Sequence, residues 1–181
     1  AIGQSLASVG HGRGVALDVN DVAACDAIID GIVKEHGGLH VLVNNAGITR
    51  DMLAMRLKDD DFDAVINTNL RAVFRLCRAV IRPMMKQRMG RIINITDTSA
   101  TRPWVHRAPH SVSKAGLTML TRLLAQAYAP HVLVNAIAPG AIPGGLPVAR
   151  TLRGGGGLDL GLRQIPVRLA QRRHVQSALE R

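Results

Sequence analysis

Short runs of β-branched residues alternate along the chain with longer stretches in which apolar positions recur every three or four residues. This alternation predicts a parallel sheet covered by helices. Strands are predicted at residues 15–19, 41–43, 91–96 and 132–136, with helices at about 21–35, 60–87 and 111–128. The second helix has the clearest period: Phe62, Ile66, Leu70, Val73, Cys77, Val80 and Met84 make one apolar stripe. Pro83 is expected to kink or unwind its last turns, and Met84, Met85 and Met89 read as packing residues that fill irregular space. Asn69 lies beside Leu70 on or near the stripe. A buried amide needs partners, so Asn69 is read either as a satisfied structural residue or as part of a polar relay.

Glycines punctuate both ends. Gly10, Gly12 and Gly14 precede a predicted strand, whereas a dinucleotide fingerprint places its glycines between a strand and the helix that follows. The order is wrong for that assignment. Beyond Pro139 the chain turns rich in Gly and Pro, with Gly154 to Gly157 unbroken. No neighbouring strand, helix or Lys-Ser/Thr pair makes this a phosphate loop, and it reads as a linker. The expected division is one domain over 1–142 and a Gly/Pro-rich, basic segment over 143–181.

At 181 residues and 47% hydrophobic, the chain can bury a sizeable core, which excludes a wholly disordered polymer. Its net charge of +10 is uneven. Residues 1–100 carry 12 basic and 11 acidic side chains, whereas residues 101–181 carry 11 basic ones against Asp159 and Glu180 alone. Such a balance invites an anionic partner, although charge alone most often marks a solvated face. Aromatics make up 2% of the chain and offer no stacking platform, so nucleic acid is not expected as a partner. The two cysteines, Cys25 and Cys77, suit a reducing compartment and read as inert core thiols. No basic-then-apolar leader opens the sequence, and no apolar run reaches the ~18 residues needed to span a bilayer, so a cytoplasmic protein away from membranes is expected. His106 and His110 have the spacing of some zinc sites, but Pro109 lies between them and no Glu completes a hydrolase motif. No metal is expected.

The strongest chemical signal is Val43-Asn44-Asn45-Ala46-Gly47, at the carboxyl end of a predicted strand. Small residues and amides there let a flat ligand approach the backbone. With Asp18-Val19, Asn67-Thr68-Asn69-Leu70, Ser113-Lys114-Ala115-Gly116 and Asn135-Ala136-Ile137-Ala138-Pro139-Gly140, in this order and spacing, the chain resembles the short-chain dehydrogenase/reductase family of NAD(P)(H)-dependent enzymes. The resemblance covers about residues 1–142. LVNNAGITRDMLAMR, INTNLRAVFRLCRAV and MGRIINI are most similar to bacterial 3-oxoacyl-acyl-carrier-protein reductases; from Thr96 onward, ITDTSATRPW and LAQAYAPHVLVNAIAPGAI look more like the pteridine-reductase branch.

The resemblance implies a Rossmann-type α/β fold, a parallel sheet with helices on both faces, and hydride transfer from NADPH, or NADH, to a carbonyl. It implies that Asp18 and Val19 lie near the adenine ring, and Asn45, Ala46 and Gly47 beside the adenosine ribose. Pro139, Gly140 and Ile142 would lie near the nicotinamide, and Lys114 would hold the nicotinamide ribose. The catalytic positions implied are Asn69, Asp97, His110 and Lys114. Two of them depart from the family, which has Tyr where His110 stands and Ser where Asp97 stands. Tyr128 cannot substitute, lying about 21 Å beyond Lys114 along a continuous helix. An Asp at the Ser position resembles pteridine reductases. An imidazole is shorter than a phenol and Lys114 opposes its charging, whereas Asp97 favours it. The expectation is impaired reduction, with an Asp97-His110 acid pair as the alternative.

The family's first two strands, with their glycine-rich turn, and its last strand have no counterpart here, so the chain is expected to be an incomplete Rossmann unit resembling an internal fragment or a decayed copy. The resemblance also implies homo-oligomerisation through the 60–87 helix and the helix after His110. Arg88 and Arg91 are implied as docking residues for an acidic acyl carrier protein. A non-catalytic basic interaction module is the competing reading. Trp104 reads as a pocket-lining residue or a cover for the core.

Overall fold

The computed structural model describes residues 13–140. Ile142 and the 143–181 segment lie outside the described residues. The elements in order are helix α1 (Val22–His36), strand β1 (Val41–Asn44), helix α2 (Asp59–Ile66), a π-helical turn (Asn67–Arg71), helix α3 (Ala72–Lys86), strand β2 (Gly90–Ile95), helix α4 (Ala108–Tyr128) and strand β3 (Val132–Ile137). Short 3₁₀ turns occupy Ala54–Arg56 and Thr98–Ala100.

The three strands form one parallel sheet in the order β1-β2-β3. Val41 pairs with Arg91, Asn44 with Asn94, and Ile95 with Ile137. Parallel strands need helical crossovers, and here α2 and α3 join β1 to β2 while α4 joins β2 to β3. All three carboxyl ends therefore share one edge. The helices pack against the face bearing Ile92, Asn94, Val132 and Val134, and the core gathers these with Val73, Cys77, Val80, Ile81 and Met84 of α3 and Leu117 of α4. On the opposite face Val41, Val43 and Ile137 stay exposed among the described residues, Val41 at 54% and Val43 at 52%. Cys25 and Cys77 are buried free thiols, and burial pushes the Cys77 thiol up to about 12. Among the described residues no helix is long and apolar enough to cross a membrane.

Three local outcomes differ from the sequence expectations. Residues 13–18 form no strand. A strand needs a ladder partner for its amides and carbonyls, and none of the described residues supplies one here. The run instead ends in a turn, where the Asn20 amide donates to Asp18 Oδ1 at 2.9 Å and the Asp21 amide to the Asp18 carbonyl at 3.0 Å. A trough of about 510 Å³ separates Leu17 and Val19 from β1.

The second difference is the π-helical turn within the predicted 60–87 helix. The extra residue in this turn shifts the inward face, so the buried positions run Val65, Thr68, Asn69, Ala72 and Val73 while Phe62, Ile66 and Leu70 are half-buried. The helix continues through Pro83 to Lys86, and the Gln87 amide donates to the Pro83 carbonyl at 3.0 Å.

Third, α4 starts at Ala108 rather than 111, with Pro109 in its first turn, where a missing N–H leaves no helical bond unmade. His110 is thereby fixed on a helix instead of a loop.

α3 presses close on the sheet at Gly90: a Cβ there would lie 2.7 Å from Met84 Cβ. Gly90→Ala is expected to destabilise the fold by about 1–3 kcal/mol through this overlap. Urea unfolding with an unchanged midpoint would show that the contact can relax.

Candidate active site

Asn69 is wholly buried in the π-helical turn, facing the loop after β1 and the first turns of α4. Its Nδ2 donates to the Ile48 carbonyl at 2.9 Å and to Ser113 Oγ at 3.2 Å, and its Oδ1 accepts from the Ile48 amide at 2.8 Å. The Ser113 hydroxyl donates in turn to the His110 carbonyl at 2.7 Å. One amide thus pins together the turn after β1, the π-helical turn and α4. In the sequence Ser113 stood only as part of the Ser113-Lys114-Ala115-Gly116 motif, and Ile48 was assigned no role. Ser113 adjoins Lys114, but nothing in its position announces that it would complete the amide's bonding.

Lys114, one turn beyond His110 on α4, is buried and donates from Nζ to the Ile95 carbonyl at the end of β2, 2.7 Å away. Burial lowers its pKa, partly opposed by the Asp97 carboxylate. Two residues after Ile95, Asp97 caps the 3₁₀ turn, its Oδ1 accepting from the Ser99 amide at 2.6 Å. Its other oxygen lies 3.8 Å from His110 Nε2. Desolvation acts to raise the Asp97 pKa, but His110 and the amide and hydroxyl of Ser99 outweigh it and hold the carboxyl down at about 2. His110 itself is 9% exposed, and its Nδ1 is buried without a hydrogen-bond partner.

The structure therefore brings Asn69, Asp97, His110 and Lys114 together at the carboxyl edge of the sheet. Gly47 joins them, since a Cβ built there would lie 3.2 Å from Asn69 Oδ1 and 3.8 Å from Lys114 Nζ. Asn45, Ala46 and Gly47 are exposed on the same turn, and Pro139 and Gly140 follow β3 at the same edge. Asp18, Val19 and Ala46 line a second trough, of about 680 Å³, with Thr68, Arg71 and Arg75. An Asn20 Nδ2 bond to Thr68 Oγ1, 3.1 Å long, ties that turn to the site. Arg88 and Arg91 are exposed at the amino ends of the strands, the edge opposite the site. His106 does not join His110 in a metal cluster; among the described residues no three His, Cys, Asp or Glu gather as one. Trp104 lies half-exposed beneath the Arg107 guanidinium, 4.9 Å from the ring centre, and that guanidinium also pairs with Asp51 at 3.1 Å.

Below the site runs a second polar chain that the sequence did not reveal. Asn44 Nδ2 donates to its registered partner Asn94 at 2.8 Å, and Asn94 Nδ2 donates to Thr121 Oγ1 at 2.9 Å. It anchors α4 to the two strands whose ends carry Asn45 and Asp97.

The low Asp97 carboxyl makes stability depend on acid. Its folded value, about 2, lies below the reference 3.8, so its contribution is complete above about pH 4 and is lost as pH falls toward 2. Asp97→Asn should reduce stability by about 2 kcal/mol at neutral pH, with the gap between variant and parent closing below pH 4. A gap that persists at pH 2 in chemical denaturation would contradict the ionic account.

The model of the short chain dehydrogenase family matches residues 4–149. The 3-oxoacyl-[acyl-carrier-protein] reductases FabG of Salmonella typhimurium and Escherichia coli K12 are 45% and 44% identical over 133 residues, covering 73% of this chain and 54% of theirs. The chain thus spans about half the length of the curated relatives it matches. A solved structure described as a short-chain alcohol dehydrogenase from Sinorhizobium meliloti 1021 superimposes with a TM-score of 0.68 at 35% identity, over 71% of this chain and 52% of that one. With its parallel Rossmann-like sheet, the chain belongs to the short-chain dehydrogenase family.

Proposed function

We infer that the chain carries the carbonyl-reducing half of an NAD(P)H-dependent reductase acting on a 3-oxoacyl thioester. The observation that carries this reading is the convergence of Asn69, Asp97, His110 and Lys114 beside Gly47 at the carboxyl edge of a parallel sheet, where α/β folds bind nucleotides. The FabG relatives support the substrate class.

The ribose end of a nicotinamide nucleotide fits the residues present. Lys114 Nζ spends one donor on the Ile95 carbonyl and keeps others for ribose hydroxyls, and the missing side chain of Gly47 leaves open space before it. Among the described residues no glycine-rich turn leads into a helix to hold a pyrophosphate; the first described helix is capped by the Asp21 carboxylate, which repels phosphate. When bound, the dihydronicotinamide would supply hydride. Asn69 would keep the turn and α4 in register, so that Lys114 and the acid at position 110 face one substrate position. An acyl carrier held by Arg88 and Arg91 would sit a strand length, about 17 Å, from the site of the same chain.

Asp97 favours a second substrate class. A half-buried carboxylate, ionised well below neutral pH, can pair with a protonated heterocycle such as a dihydropterin.

Calorimetry with NADPH tests the reading at its base, with millimolar binding or better expected and no heat at millimolar cofactor contradicting it. Turnover of an acetoacetyl thioester and of a dihydropterin, with and without an N-terminal nucleotide-binding segment supplied, separates the substrates. The thioester is expected to be reduced in the completed protein, and reduction of the dihydropterin alone would select the alternative.

A further inference from the structure

We propose that two loops at the carboxyl edge of the sheet carry an acyl-chain subsite, an apolar rim of Met52, Leu53, Met55, Trp104 and Val105 that receives a long saturated chain attached to the reacting carbonyl. The proposal rests on the reductase reading and adds to it the kind of thioester the site prefers.

These side chains are displayed from a fixed backbone. In the loop after β1, Asn69 binds both the amide and the carbonyl of Ile48, and Arg50 pairs with Asp61 of α2 at 3.4 Å. The Met52 amide donates to the His106 carbonyl at 2.9 Å, and Arg107 Nε donates to Asp51 Oδ2 at 3.1 Å. Met52 and Arg107 also pair as an isolated parallel bridge, so the loop after β1 lies alongside the turn that leads into α4. That turn, residues 104–107, is closed by the Arg107 amide on the Trp104 carbonyl at 3.2 Å. It holds His106 at φ 73°, in the left-handed region that favours glycine.

On this frame the apolar side chains face water. Met55 is 85% exposed and Val105 78%, and Met52, Leu53 and Trp104 are exposed with them. Apolar groups gain by leaving water, so a set held out on a hydrogen-bonded frame marks a place where something apolar is received. The charges within the rim are spent on each other: Arg107 pairs with Asp51 and lies over the Trp104 ring, 4.9 Å from its centre. A charged substituent finds no free partner in that pair. What the rim offers instead is an indole, a rigid apolar plate, and two unbranched thioethers that rotate to follow chains of different length.

Place decides the occupant. The first loop also carries Gly47 and Ile48, and the second joins the turn capped by Asp97 to the helix that carries His110 and Lys114. A substrate seated among Asn69, Asp97, His110 and Lys114 meets the rim as it extends beyond its carbonyl. The arm of a 3-oxoacyl thioester that suits an apolar, neutral surface is its hydrocarbon chain. A dihydropterin has amide and amino groups around its ring and no such tail to lay there.

Trp104 is the only tryptophan of the chain, so its indole N–H gives a single cross-peak in ¹H–¹⁵N NMR. The whole chain is titrated with the 3-oxodecanoyl thioester of N-acetylcysteamine, with its acetoacetyl counterpart and with a dihydropterin. The 3-oxodecanoyl thioester is expected to move the peak saturably, the acetoacetyl thioester to bind about tenfold more weakly or less, and Met55→Gln with Val105→Gln to weaken 3-oxodecanoyl binding about tenfold. Both substituted side chains are exposed, so the fold is kept. A peak that ignores the 3-oxodecanoyl thioester, follows both thioesters equally, follows the dihydropterin alone or responds undiminished in the double variant overturns the proposal. NADPH binding with an unmoved indole keeps the reductase reading and overturns this one, whereas a responsive indole without NADPH binding keeps the rim and strikes the reductase reading.

Discussion

A single buried amide holds the candidate site together. Asn69 has no exposure to water, so its two donor hydrogens and its carbonyl must be met by protein, and they are met by Ile48 and Ser113. Those partners belong to the loop after β1 and to α4. If either element moves, polar groups are left unpaired in a dry environment, at a cost of about 1–3 kcal/mol each. The geometry of the site follows, since the loop carries Gly47 while α4 carries His110 and Lys114. The π-helical turn is what brings the amide inward: a regular α-helix with the stripe read from sequence would have faced Leu70 to the core and left Asn69 at its margin.

The sheet supplies the rest of the order. Parallel pairing in register gathers the carboxyl ends of β1, β2 and β3, and the Asn44, Asn94 and Thr121 chain locks two of those strands to α4 beneath the reacting groups. Lys114 reaches the last carbonyl of β2 and Asp97 follows two residues later. Helix, strand end and turn therefore meet within one hydrogen-bonded neighbourhood, and the charges are weighed against each other locally. Burial weakens the ammonium of Lys114, while Asp97 supports it and faces His110 as well.

Much of this was legible in the residues. Alternating apolar runs placed β1, β2, β3 and the helices to within about three residues, and the resemblance to the short-chain dehydrogenases implied that Asn69, Asp97, His110 and Lys114 share one site. Residues 15–19 were misread because alternation shows only that a segment suits a strand; whether it becomes one depends on a ladder partner elsewhere. The π-helical turn escaped because a 3.6-residue period assumes an uninterrupted helix. Ser113 and the Asn44 to Thr121 chain escaped for a related reason: their roles arise from contacts between elements distant in sequence. Pro109 fell just before the helix expected at 111–128, although the first turn of a helix accepts it readily.

The account is tested most directly by hydrogen exchange at the Ile48 amide, the one donor in the turn after β1 that closes on Asn69. The clamp predicts exchange as slow as in β2, falling to the rate of an open loop in Asn69→Ala. A wild-type Ile48 amide that exchanges as fast as those of Asn45 and Ala46 would contradict the account.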